Sequence, residues 1–255
     1  FVRSRELRPP GDAVSLRFVG VLDRDTLIFA AAGAMGGDVT TGRYRRTLTL
    51  HRYGGGRSAE GRIARVPATP RFRWSYRRRG REALLITRVP FAGRTSFAVA
   101  SSRACASSGG AFDVRCRSAD GRLRTVVRDS VARPPVTGEV RDRFVESRLQ
   151  EMEGSEFQGR MQSLFEELGD DLPDRMPAMS RIMADAEDNL WVRTYRPPYE
   201  SGPKRWRVFG PDGVRRATVE MPAEFTPYQI GPDRVVGKWE NDLGVNFVRV
   251  YRLRK

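Results

Sequence analysis

The residues with chemistry in reach are few and scattered. His51 is the one histidine of the chain, set mid-strand in TLTLHRY, where alternation puts it on the face opposite Leu48 and Leu50. One imidazole builds neither a histidine triad nor a multi-histidine metal site, although it suffices as a lone general base. It reads as a structural histidine. Asp185, Asp188 and Asn189 bring oxygen donors close together, the type calcium takes. Their spacing is not that of an EF-hand loop, and a turn between strands requires the same residues. Asp120-Gly121 and Asp212-Gly213 read as turns in the same way. No nucleophile elbow, Gly-rich phosphate loop, HExxH or Cys-x-x-Cys occurs, so no catalytic residue, cofactor or metal ligand is assigned.

The segment Arg71–Arg81 (RFRWSYRRRGR) combines cations with aromatics. On a strand, Phe72, Trp74 and Tyr76 share one face while Arg71, Arg73 and Arg77 share the other. Single-stranded nucleic acid is gripped by aromatics and cations on one surface. Alternation separates them here, so the aromatics are expected to pack inward and nucleic acid is not the expected partner. Trp191, Trp206 and Trp239 read as core between sheets. Arg193, Tyr195, Tyr199 and Trp239 stand near strand ends or loops from which they could reach a face or channel of the fold.

The net charge of +15 is unevenly spread. Basic residues outnumber acidic ones by 27 to 10 up to residue 133, and the balance reverses to 6 against 14 over residues 134–190. A basic field of this size favours acidic or phosphate-rich partners. Yet 43 of the 46 basic residues are arginine, an Arg-for-Lys vocabulary that a GC-rich genome writes on any solvated strand face. Two cysteines, Cys105 and Cys116, make no disulfide framework. With a hairpin turn at Ser108–Gly110, Cys105 faces residues near Phe112, so both are expected as buried, separate small side chains.

The elements that would position these residues are short strands. Alternating or apolar runs at Phe1–Leu7, Leu16–Leu22, Thr26–Ala31, Thr47–Tyr53 and Gly61–Val66 are separated by Gly, Pro and Asp turns. Arg71–Arg78 and Ala83–Val89 form an additional hairpin. A second four-strand unit follows at Thr95–Ala100, Arg103–Ala106, Phe112–Arg117 and Leu123–Arg128. A third occupies Ser180–Met183, Leu190–Tyr195, Lys204–Phe209 and Val214–Met221. The fourth has three strands, Phe225–Ile230, Arg234–Trp239 and Asn246–Leu253. Residues 137–172 break the pattern with two amphipathic helices. The first is capped by Thr137, and the second opens with a Ser155/Gln158 capping box and carries Phe157, Met161, Leu164, Phe165 and Leu168 on one stripe. Such stripes must lie on something, so the helices are expected to cover a face or edge of the β domain or to dock a partner.

TLTLHRYGGG, FDVRCRSADG, KRWRVFGPDG and NFVRVYRLRK superpose as one recurring strand, the first three running into a Gly turn. Self-similar four-stranded units at this spacing are the signature of a β-propeller. The expected fold is therefore all-β: about four propeller blades of four antiparallel strands, with the helical insertion at 137–172, in one domain spanning 1–255. A three-stranded last unit fits a ring closed by a strand from the other terminus.

At AEDNLWVRTYRPP, RWRVFGPDG and IGPDRVVGKWENDLGVNFVRVYRL the chain resembles the C-terminal blades of bacterial six-bladed β-propellers of the NHL-like and TolB-like type. PFAGRTSFAVASS and the helical insertion also look similar to uncharacterised members with an anchored or exported location. Ala186-Glu187-Asp188-Asn189 departs from the usual Asp-Gly-Asn turn, and Gly210 stands where Asp is common. The resemblance implies a six-bladed ring, hence further blades and a targeting segment upstream of Phe1, and an exported location, periplasmic or on the cell surface. It implies a fold more than a reaction.

The functional expectation is a non-catalytic binding or scaffold module recognising a protein or small ligand on one ring face. Two alternatives stand beside it. One is a propeller hydrolase or lyase with channel carboxylates and a divalent ion. The other is a polyanion binder using the Arg-rich first half. No run of eighteen apolar residues occurs, so no transmembrane helix is expected; anchoring would depend on an upstream segment.

Overall fold

Short alternating runs closed by turns can hide their apolar residues only by pairing into sheets and stacking those sheets face to face. The computed structural model describes residues 6–23, 25–34, 41–54, 58–78 and 80–253. The chain forms β1 (Ala13–Leu22) and β2 (Thr26–Gly33), a short β3 (Gly42–Tyr44), then β4 (Thr47–Tyr53) and β5 (Gly61–Pro67). The hairpin β6 (Arg71–Arg78) and β7 (Arg81–Arg88) precedes β8 (Ser96–Val99), β9 (Ala104–Ser107), β10 (Asp113–Arg117) and β11 (Leu123–Arg128). Helices α1 (Gly138–Gln150) and α2 (Gln158–Glu167) and a 3-10 turn (Gly169–Asp171) come next. Then follow β12 (Met179–Ala184), β13 (Leu190–Thr194), β14 (Lys204–Phe209), β15 (Arg215–Met221), β16 (Phe225–Ile230), β17 (Arg234–Glu240) and β18 (Asn246–Arg252).

These strands make five antiparallel sheets, ordered β1-β2-β4-β5, β8 to β11, β12 to β15, β16 to β18, and β3-β6-β7. The all-β expectation and its four repeated units are therefore correct strand for strand. Two details differ. Three-residue β3 has too little sequence to show a pattern, yet it pairs with β6 and turns the additional hairpin into a sheet. The strand expected at Phe1–Leu7 lies mostly outside the described residues, and Glu6 and Leu7 are not part of a strand. Among the described residues the fourth unit keeps three strands.

Successive sheets stand with their first strands side by side, β1 next to β8 and β8 next to β12. The Ser96 hydroxyl accepts from the Ile182 amide at 3.0 Å across the second of these seams. Strands with both faces covered read as continuous apolar runs. In β9, Ala104 and Ala106 face the first sheet and Cys105 faces the third. In β13, Leu190 and Val192 face the second sheet while Trp191 faces the fourth. Trp206, Phe209 and Phe225 are fully buried between sheets, each worth about 1.5–3 kcal/mol of apolar transfer.

Cys105 and Cys116 are direct register partners and form a disulfide, with Cα atoms 3.9 Å apart. This corrects the expectation of two separate thiols. The β9–β10 connection is not a tight turn at Ser108–Gly110 but a wider loop through Phe112, which moves the register and brings the sulfurs together. The loop is held by a close crossing: a Cβ on Gly93 would overlap the Gly110 amide, and Gly109 sits at φ 78° against the Arg94 backbone. Only glycine fits both places.

The helices meet the first of the two uses expected of them. Leu164 of α2 and Leu168 at its C-terminal end are buried on Phe72 of β6 and on Val89 just past β7, with Met161 and Phe165 beside them. Thr137 caps α1, accepting from the Val140 amide at 3.4 Å. The expected Ser155/Gln158 capping box is not made. The helix begins at Gln158 without a side-chain cap, and Ser155 accepts instead from the Phe157 amide. Phe157 therefore precedes the helix and is 50% exposed, off the stripe assigned to it.

Candidate ligand-binding cleft

Docking α2 on the β6–β7 hairpin leaves a cleft of ≈ 1030 Å³ between the helices, the end of β7 and the edges of β12, β13 and β14. Phe144, Met161 and Phe165 line its helical side. Their positions are set by ring contacts, Phe144 lying 5.1 Å from Phe91 and 5.7 Å from Phe165, both edge-on. Apart from Arg148, which pairs with Glu151, that wall is apolar because the stripe of α2 overruns the hairpin it covers and meets Phe144 of α1.

The sheet side is cationic. Arg193 at the end of β13, Arg196, Lys204 at the start of β14 and Arg94 ahead of β8 all line it. Glu200 and Glu220 are the carboxylates of the lining, and Glu220 is already paired with Arg205 at 2.9 Å. Arg193 lies directly opposite Arg181 in the β12–β13 register and next to Trp206 of β14. Its Nε donates to the Ser180 hydroxyl at 2.7 Å, and its guanidinium carbon stands 6.0 Å from the Trp206 ring centroid. Lys204 donates to the Phe225 carbonyl at 2.8 Å. Among the described residues, no carboxylate lies within ion-pair distance of Arg94, Arg181, Arg193 or Lys204.

Burial and like charge act together on this group. Burial, and then Arg181, Arg94 and Arg196, push Arg193 down to about 10. Burial also lowers Lys204, with Arg193 and Arg196 adding to it. Burial and then Arg88, Arg181 and Arg17 lower Arg94. Tyr195 is pushed upward by burial, then by Tyr199 and Glu200. Like charges directly opposite in a sheet are destabilising, and half-buried cations lacking a counter-charge add a desolvation cost. The arrangement can hold negative charge; it offers no nucleophile next to a base.

The residues singled out from sequence have different fates. Arg193 and Tyr195 do reach the cleft, whereas Tyr199 packs beneath α1 and Trp239 lies under Arg249, whose guanidinium is 3.8 Å from its ring centroid. Trp191 and Trp206 are core. Asp185 organises its turn, accepting from the Glu187 and Asn189 amides, the Asn189 side chain and the Trp191 indole at 2.8–2.9 Å. Asp120 and Asp212 accept from the amides two residues on. His51 is half-buried beside Phe29 and Arg62 in register. In the Arg71–Arg81 segment, Phe72 is buried, Trp74 stacks on Tyr76 with centroids 4.7 Å apart, and Arg73 lies over Tyr44; Arg79 lies outside the described residues. Arg94, Arg181, Arg196 and Lys204 carried no distinguishing sequence signal, being four cations among 46.

No family model matches the chain, and no curated protein matches it. Among solved structures, a luciferin-regenerating enzyme aligns over 95% of this chain and 92% of its own, at 12% identity and a TM-score of 0.27. That likeness is too loose to transfer any residue or reaction.

Proposed function

We propose that this chain is a non-catalytic binding module of β-propeller type that takes a small ligand in the cleft between the helix pair and the third sheet. The observation that carries this reading is the cleft itself, of ≈ 1030 Å³, the size of a ligand site, walled by Phe144, Met161 and Phe165 on one side and by Arg193 and Lys204 on the other. The hydrolase or lyase alternative asks for clustered carboxylates at the inner strands, and the cations there count against it. The polyanion alternative rests on the Arg-rich first half, of which Arg73 is buried beside Tyr44 and Phe72 next to it lies under α2.

The test is a thermal-shift screen of neutral, cationic and anionic small molecules against the wild type and Ser201→Trp, which narrows the mouth from an exposed loop. At least one compound should raise the wild-type Tm, lose that effect in Ser201→Trp, and be recovered chemically unchanged. Shifts indifferent to Ser201→Trp, no shift at all, or conversion of the bound compound would each sink the reading.

We further infer that the module belongs to a larger ring of the NHL-like or TolB-like kind and works outside the cytoplasm. The disulfide supports export, because such bonds persist in oxidising compartments. Exposed Val14 and Phe18 on the first sheet and Val248 and Val250 on the fourth are surfaces that neighbouring blades would cover. The full coding sequence tests both points. An export signal and two further blade repeats are expected, and a native start near Phe1 would refute them.

A further inference from the structure

Several arginines of the chain have a carboxylate partner. Arg115 and Arg128 share Asp113, Arg205 pairs with Glu220, Arg207 with Asp129, and Arg216 with Asp212. On the sheet wall of the cleft, Arg94, Arg193 and Lys204 have no carboxylate partner among the described residues. Four elements bring Arg94, Arg193, Arg196 and Lys204 to one wall, and the sheet register sets Arg181 directly behind Arg193. Arg181 and Arg193 alternate onto the same face as Trp191 and Trp206, where an apolar residue would have extended the core shared with the fourth sheet. A fold gains nothing in stability from two cations there. What the placement does provide is a concave wall of forked donors with spare hydrogen-bonding capacity, opposite an apolar wall.

We propose that the Arg193 group, with Arg94, Arg196 and Lys204 around it, seats the anionic head, a phosphate or carboxylate, of a small ligand whose apolar body rests on Phe144, Met161 and Phe165. This rests on the cleft being the binding site. It adds the chemical class of the ligand and the residue that selects it. A guanidinium presents two parallel donors that match both head groups. The anion would also relieve the repulsion between Arg181 and Arg193, so part of the binding energy is already stored in the unliganded sheet. The lowered proton affinities of Arg193, Arg94 and Lys204 agree with such uncompensated charge.

The experiment compares hexyl phosphate, hexanoate, hexyltrimethylammonium and hexanol by titration calorimetry, with inorganic phosphate alone and phosphatidylglycerol vesicles as further arms. Wild type should bind hexyl phosphate or hexanoate, and more tightly than inorganic phosphate. Arg193→Gln should weaken that binding by about tenfold to a hundredfold, the loss of a charged hydrogen-bonded contact, and Arg94→Gln, on an exposed residue, should weaken it less. Without ligand, Arg193→Gln should melt at or above the wild-type temperature, whereas a purely structural arginine would lower it. Equal affinity for hexyltrimethylammonium or hexanol would overturn the anion assignment while leaving a binding cleft. So would binding unaffected by both variants. Arg193-dependent binding to vesicles without binding of the soluble anions would overturn it in favour of a membrane head group.

Discussion

The guanidinium of Arg103 donates at 2.7 Å to the backbone carbonyl of Asp188, tying the second sheet to a turn of the third. The same side chain, 6% exposed, donates at 2.6 Å to the Pro211 carbonyl and at 3.1 Å to Thr125. Asp188 in turn accepts from the Ser101 amide at 2.8 Å and from the Ser101 hydroxyl, while holding a left-handed backbone at φ 62°. One buried cation thus holds two turns, at Asp185–Asn189 and Gly210–Gly213, against a neighbouring sheet.

Arg103→Met should therefore destabilise the domain by about 3 kcal/mol, the sum of losing charged hydrogen bonds and leaving buried carbonyls unmade. Arg103→Lys keeps the charge but not the fork that spans Asp188 and Pro211, and should recover less than half. Urea unfolding midpoints at constant m-value would show it; a loss within experimental error of zero would contradict the role.

Reducing Cys105–Cys116 should cost about 2–3 kcal/mol, as expected for a short closed loop. The Tm should fall on adding reductant to the unfolding wild type, and Cys105→Ala/Cys116→Ala should start lower and ignore reductant. Equal response of both proteins would argue against the bond.

Leu164→Ala removes a fully buried side chain between α2 and the β6–β7 hairpin, with a cost of about 2–5 kcal/mol. Because Leu164 anchors α2 to that hairpin, limited proteolysis of the variant should cut first around residues 151–157. Phe157→Ala, at a half-exposed position, should leave both stability and cleavage pattern close to wild type.

Burial and then Arg62 lower the His51 pKa from its ordinary value of 6.5. The folded protein thus binds this proton more weakly than the unfolded chain. No penalty exists above pH 6.5; it develops as pH falls through 6.5 and is complete below the lowered folded value. His51→Gln should lose less stability than wild type between pH 7 and pH 5. Parallel stability profiles would refute the assignment.

Much of the fold was legible because its signals are local. The Leu48/Leu50 alternation, the Gly turns and the recurring third strand specify strands and their grouping without reference to distant residues. The site was legible only at its edges. Arg193 and Tyr195 stood out because they sit where a strand runs into a loop. Arg94, Arg181 and Lys204 did not, since a cation on a strand or in a loop has the same local pattern whether it meets solvent or a neighbouring sheet. The missed disulfide has the same origin, for a two-residue difference in loop length changes which residue faces Cys105.

The sequence by itself thus determined an all-β chain of four repeated units with an α-helical insertion, because strand period and turn chemistry act over a few residues. Only the tertiary structure decided that Cys116 meets Cys105, that α2 lies on the Arg/aromatic hairpin, and that Arg94, Arg193 and Lys204 gather at one cleft. Those outcomes depend on register and on which sheets become neighbours, quantities set by the simultaneous burial of many side chains rather than by any one segment.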